Sequence, residues 1–172
     1  TAKENSSQVA DRENYALYAQ YSYEVSPKLT TIFGVREQFI EDMVKDQKVF
    51  LPQFQALYKT QENSSLYVNV GKAFQMPTLS DSMKKPSGGS EFLPVSGKNL
   101  KPQEGWNYEM GYKIENDSNA WKFALYYMDF DNMFGWEKDV DGVTDIRVNR
   151  GEFKNVGFEA DYTLSLIHIS EP

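Results

Sequence analysis

At 172 residues the chain is about one domain in size, and with no Cys and one His, at position 168, it offers no disulfide, thiolate metal site or histidine-based catalytic set. A net charge of -7 excludes the basic face that nucleic acid demands. Aromatic residues reach 15% in a chain that is hydrophilic by mean hydropathy, which fits apolar residues set singly at every second position, as in a membrane barrel or a soluble sandwich. No apolar run approaches the length of a membrane helix.

Asn14 to Val25 places Tyr15, Leu17, Ala19, Tyr21, Tyr23 and Val25 on one face and Ala16, Tyr18, Gln20, Ser22 and Glu24 on the other. Ser26-Pro27-Lys28 reads as a tight turn. It is followed by Leu29, Thr31, Phe33 and Val35 in phase, so these two runs are expected to form a hairpin. A polar connection over 41–48 leads to a third strand, Val49 to Lys59, in which Pro52 predicts a bulge or a strand start because it cannot donate to a ladder. Gln61 to Ser64 turns into a fourth strand, Ser65 to Phe74.

Gln75 to Gly105 holds four Pro and several Gly and lacks periodicity, so it reads as a long surface loop. Alternation returns over Trp106 to Ile114, then over Trp121 to Met128 after an Asn/Asp/Ser turn. A further loop, Asn132 to Asp145, precedes a last strand containing Phe158, Ala160 and Tyr162. About seven strands of about ten residues result, each long enough to cross a bilayer at a tilt. Short turns follow Val25, Lys59 and Ile114, and long connections follow Phe39, Phe74 and Asn132. In outer-membrane barrels the first kind faces the periplasm and the second the exterior. Tyr15, Tyr23, Tyr58, Trp106 and Trp121 fall at strand ends, where aromatic girdles lie.

Five stretches in order carry a family resemblance. They are LYAQYSYEVSPKLTTIFGVR (Leu17 to Arg36), LPQFQALYK (Leu51 to Lys59), the strand and loop entrance Ser65 to Asp81, LKPQEGWNYEMGYK (Leu100 to Lys113) and NRGEFKNVGFEADY (Asn149 to Tyr162). Together they resemble the barrel of TonB-dependent outer-membrane receptors. The resemblance implies an all-β fold, an antiparallel up-and-down sheet of about seven strands forming part of a transmembrane β-barrel of about 22 strands. It also implies a bacterial outer-membrane location and energised uptake of a scarce nutrient, most often a ferric siderophore. The implied partners are a TonB-type energising protein, acting through a plug domain that this chain lacks, the lipid bilayer and a small-molecule nutrient complex. A soluble β-sandwich or adhesin-like binding module is the alternative.

Residues 1–163 are expected to be the barrel portion. The chain opens at Thr1 with neither Met nor a signal peptide, which reads as an internal or processed piece. Leu164 to Pro172 resembles the in-frame translation of a sequencing-library adapter, which would make His168 non-native.

No residue is assigned a catalytic, cofactor or metal role, and the chain is not expected to be an enzyme. Asp139, Asp141, Gly142 and Asp145 have a calcium-loop-like spacing but lack the closing Glu, so an acidic loop is the simpler reading. Asp129 and Asp131 share a strand face as adjacent acids. Arg36, Lys113, Glu24 and Glu109 belong to the polar face, which lines the lumen of a barrel. Ligand contacts are expected in the regions 75–105 and 132–145, without assignment to individual residues. The sequons at Asn5, Asn63 and Asn116 carry no functional expectation.

Overall fold

In the computed structural model, residues 12–42, 46–78, 81, 83–84, 93–94, 100–139, 142 and 145–164 are described. Eleven strands appear among them: β1 (Arg12–Ser26), β2 (Leu29–Asp42), β3 (Gln47–Gln61), β4 (Ser64–Gln75), β5 (Met83–Lys84), β6 (Leu93–Pro94), β7 (Gln103–Glu115), β8 (Asn119–Asp131), β9 (Phe134–Lys138), β10 (Asp145–Asn149) and β11 (Glu152–Leu164). Seven of them build one sheet in the order β1-β2-β3-β4-β7-β8-β11. Every neighbouring pair is antiparallel. The remaining strands form two small hairpins, β5-β6 and β9-β10. The expected up-and-down sheet is therefore present. The adapter-like tail beyond Leu164 lies outside the described residues.

Strict alternation gives this sheet two unlike faces, because successive side chains point to opposite sides. Cross-strand register carries one apolar row through Tyr21, Phe33, Phe54, Val70, Tyr108, Tyr127 and Val156. The next runs through Tyr23, Thr31, Ala56, Val68, Met110, Leu125 and Phe158. These rows face outward and are largely uncovered: Val156 is 76% exposed and Phe158 62%, with the small Thr31 buried at 8%. A sandwich would cover this face with a second sheet, and among the described residues there is none. So broad an uncovered apolar surface fits a hydrocarbon surround rather than water. On β1 the apolar side chains from Tyr15 to Val25 span ten residue steps, roughly 33 Å along the strand and about 25 Å upright at a tilt near 40°. That matches the height of the apolar band of an outer-membrane barrel.

Aromatic contacts border the band. At the short-turn end Trp121 packs on Tyr162 with centroids 4.3 Å apart. At the other end Tyr15 stacks on Phe39 at 5.2 Å. Beyond the band on the long-loop side, the same face turns charged. Lys48 pairs with Glu37 at 2.8 Å, Lys72 with Glu104, and Lys154 with Glu152 at 3.0 Å and Asp129 at 3.9 Å. Asp129 and Asp131 are thus outward-facing members of this belt, and Asp129 also accepts from Tyr127 Oη at 3.2 Å.

Pro52 does not produce the expected bulge. β3 begins at Gln47, and its register with β2 passes through Val35↔Pro52 unbroken. Its pairing with β4 begins one residue later, at Gln53↔Gly71. A residue without an N–H is tolerated where a ladder ends.

On the polar face, close approach governs Gly111 and Gly157 among other glycines. A Cβ at Gly111 would overlap the Tyr67 phenol, and one at Gly157 the Tyr126 phenol. Each tyrosine therefore lies along the wall across its glycine neighbour. The short turns are tied laterally: Asn63 Nδ2 donates to Asn116 Oδ1 at 2.7 Å, and Glu115 N–H to the Asn63 carbonyl at 2.8 Å.

Candidate functional site at the outer rim

Most of the buried apolar side chains collect at the long-loop end. Ile40 closes β2, Val49 opens β3, Pro77 follows β4, Leu100 precedes β7, and Ile146 and Val148 lie in β10. Ile40, Val49 and the buried Gln38 and Gln103 belong to the polar face of the sheet by register. Among the described residues, the wall is thus covered on its inner side only near the rim.

Hydrogen bonds across long sequence separations hold this cover down. Arg12 Nη1 donates to the Pro77 carbonyl at 2.7 Å, drawing the segment after β4 back to β1. Gln47 Nε2 donates to the Leu100 carbonyl at 3.1 Å, drawing the segment before β7 over to β3. Asn149 accepts from the Lys101 N–H at 2.8 Å and donates to the carbonyls of Lys101 at 2.9 Å and Asn132 at 2.8 Å. One side chain amide therefore clips both loop regions together.

The second clip is ionic. Asp81 accepts from Thr78 N–H at 2.9 Å and Thr78 Oγ1 at 2.7 Å, and Arg147 Nε reaches its other oxygen at 3.1 Å. Burial opposes the Asp81 charge, but the Thr78 hydrogen bonds and the Arg147 guanidinium outweigh it and hold the carboxyl below its usual range. Arg147 also lies over the Trp136 ring, 4.4 Å from its centroid. Trp136 remains 58% exposed. An aromatic plate, a guanidinium and a carboxylate from two separate loops thus meet at the rim.

The region 132–145, expected as loop, contains β9 and continues into β10. The calcium-like spacing is the turn of this hairpin. Gly142 sits at φ 68° and its N–H donates to the Asp139 carbonyl at 2.8 Å, while Asp145 pairs with Lys138 at 2.8 Å. Asp141 lies outside the described residues. Among the described residues no group of three or more potential ligands gathers. A signal for the hairpin was available in sequence: Ile146 and Val148 alternate with Asp145, Arg147 and Asn149, and Phe134 and Trp136 with Gly135 and Glu137.

Of the polar-face residues singled out from sequence, Arg36 donates through Nε and Nη2 to Gln38 Oε1 at 3.2 and 2.9 Å. Together with Tyr18, Gln20 and Gln53 it lines a recess of about 350 Å³. Glu109 and Lys113 line a separate recess of about 380 Å³ beside Tyr67. Glu24 is exposed near the short turn. The structure does not bring these four into one site.

A family model described as TonB dependent receptor-like, beta-barrel, matches residues 1–169. No curated protein matches the chain. Among solved structures, the siderophore receptor PirA from Pseudomonas aeruginosa superposes with a TM-score of 0.72 at 19% identity, over 91% of this chain and 32% of that one. The FrpB iron transporter from Neisseria meningitidis (F3-3 variant) does so at 0.69 and 16%, over 89% and 23%. The copper transporter OprC does so at 0.68 and 13%, over 91% and 27%. The chain thus spans about a quarter to a third of the length of these structures.

Proposed function

Because the chain belongs to the TonB-dependent receptor-like β-barrel family, we propose that it forms part of the wall of an energised outer-membrane transporter. The family is one of bacterial outer-membrane transport proteins, not enzymes. The observation that carries the reading is the sheet itself: an uncovered apolar band about 25 Å high outside, a polar face inside, and described loop residues clipped over one rim.

The cargo we propose is a ferric siderophore. PirA is named as a siderophore receptor and FrpB as an iron transporter, which supports iron, whereas OprC is named as a copper transporter. The rim offers what a bulky, partly aromatic chelate needs, an exposed Trp136 beside the Arg147 guanidinium. Energy would reach the barrel from a TonB-type partner through a lumen-filling domain encoded elsewhere in the full reading frame.

The test is uptake by the full-length protein in a host deleted for its own receptors. Radioactive iron presented as a siderophore complex should accumulate, and accumulation should stop when the TonB-type protein is deleted. Uptake that survives that deletion would refute energised transport, and uptake of copper alone would refute the cargo.

A further inference from the structure

We propose that Arg147 selects the charge class of the cargo, favouring a chelate that presents two neighbouring anionic oxygens, as a catecholate or carboxylate does, over a neutral one. The proposal rests on the cargo reading given above and deepens it.

Arg147 is fixed before any ligand arrives. Its neighbours Ile146 and Val148 are buried, which pins β10 and turns Arg147 to the other side of the strand. Trp136 stands directly opposite in register and covers one face of the guanidinium. Asp81 takes Nε through one oxygen, while its other oxygen is held by the Thr78 N–H and hydroxyl. Turned this way, Asp81 engages Nε without a second bond to an Nη group. A carboxylate free to turn would make both bonds along one guanidinium edge.

Arginine carries five N–H donors in a planar fork. Among the described residues Nε has an acceptor and the terminal Nη groups have none. The side chain is 29% exposed, so the fork is within reach of a ligand yet partly withdrawn from water. Two other cations of the rim differ. Lys138 and Arg150 are exposed, and they pair with Asp145 at 2.8 Å and with Glu137 at 3.8 Å. Pairs so open to solvent are screened and weakly held.

A fork already stacked and anchored loses little freedom on binding, and its two Nη groups match a pair of oxygens set side by side. Asp81 offsets the formal charge of Arg147, so the preference comes from the direction and strength of the remaining donors. Hydrogen bonds to an ionised acceptor are roughly twice as strong as those to a neutral one. The exposed Trp136 adds an apolar plate beside the fork, which suits oxygens carried on an aromatic ring.

The test is equilibrium binding to outer-membrane vesicles carrying the full-length protein, with radioactive iron presented as a tris-catecholate, as citrate and as a neutral trihydroxamate. One or both anionic complexes should bind about tenfold or more tightly than the neutral one. Arg147→Gln should abolish that preference. Arg147→Lys, which keeps the charge and lacks the fork, should lose most of it as well. Asp81→Asn loosens the loop clip and leaves the fork in place, so it should weaken all three complexes alike and keep the preference. A neutral complex bound as tightly as the anionic ones, an equal loss for all three in Arg147→Gln, full recovery by lysine, or a preference lost in Asp81→Asn overturns the proposal. Binding of none of the three by the parent protein sinks the cargo reading along with it, whereas tight binding of the neutral complex alone sinks this proposal and leaves iron transport standing.

Discussion

Leu125→Arg in the full-length protein is the sharpest test of which face meets lipid. Leu125 lies between Met110 and Phe158 on the outward face and is 52% exposed. Four residues separate it from the charged belt at Asp129 and four from the aromatic border at Trp121, roughly 13 Å along the strand and about 10 Å upright in each direction. That puts it near the middle of the band, where arginine costs about 2–4 kcal/mol in a membrane barrel. The ratio of folded to unfolded protein should fall by about 30- to 1,000-fold at equilibrium. Urea titration in lipid vesicles, with heat-modifiable gel mobility as the readout, measures the shift. Leu125→Ala controls for the lost side chain and Gln20→Arg, on the inner face, for arginine itself. If Leu125→Arg costs no more than Gln20→Arg, the apolar face does not meet hydrocarbon.

Asp81 gives a pH prediction. Its carboxyl is held below the ordinary value of 3.8, so its contribution to loop docking is complete above that value and lost as pH falls through the lowered one. Discounted for solvent screening, the contribution is on the order of 1 kcal/mol. Pepsin cleavage of the β9-β10 hairpin should rise between about pH 4 and pH 2 in the parent protein, while Asp81→Asn should be cleaved readily at both. Equal resistance of the two proteins across that range would remove the clip. Gly157→Ala should impair assembly by overlap with Tyr126, and Tyr126→Ala in the same chain should restore it; failure of that rescue would mean the backbone, not the phenol, needs the glycine. Trp136→Ala should leave heat-modifiable mobility unchanged and weaken siderophore-iron binding by about tenfold. Unaltered binding would place the cargo elsewhere.

The seven long strands were legible because a sheet wetted differently on its two sides forces period-two alternation, and Tyr15 to Val25 or Trp121 to Tyr127 displays it plainly. Their ends were less so. β7 starts at Gln103 rather than Trp106, and β8 continues to Asp131, because beyond the bilayer the outward face becomes charged and alternation of hydrophobicity stops while pairing continues. β9 falls inside the expected loop and β10 has no strand assigned to it, since each is five residues long and the turn between them is rich in Asp and Gly. Pro52 misled because its missing donor matters only toward β4, and sequence does not say on which side a neighbour is absent. At the rim, the pairing of Asp81 with Arg147 joins residues 66 positions apart, a distance at which no local pattern points from one to the other.

The two tyrosines that lie across Gly111 and Gly157 set how far the inner face of the sheet stands proud. An upright phenol would project well away from the sheet, and two of them, on β4 and β8 with β7 between, would roughen the inner face. Laid flat, the same side chains present their edges and rings as a smooth lining. Each glycine thus makes its contribution by the room it leaves, and the relief of the inner face is shaped at positions that carry no side chain.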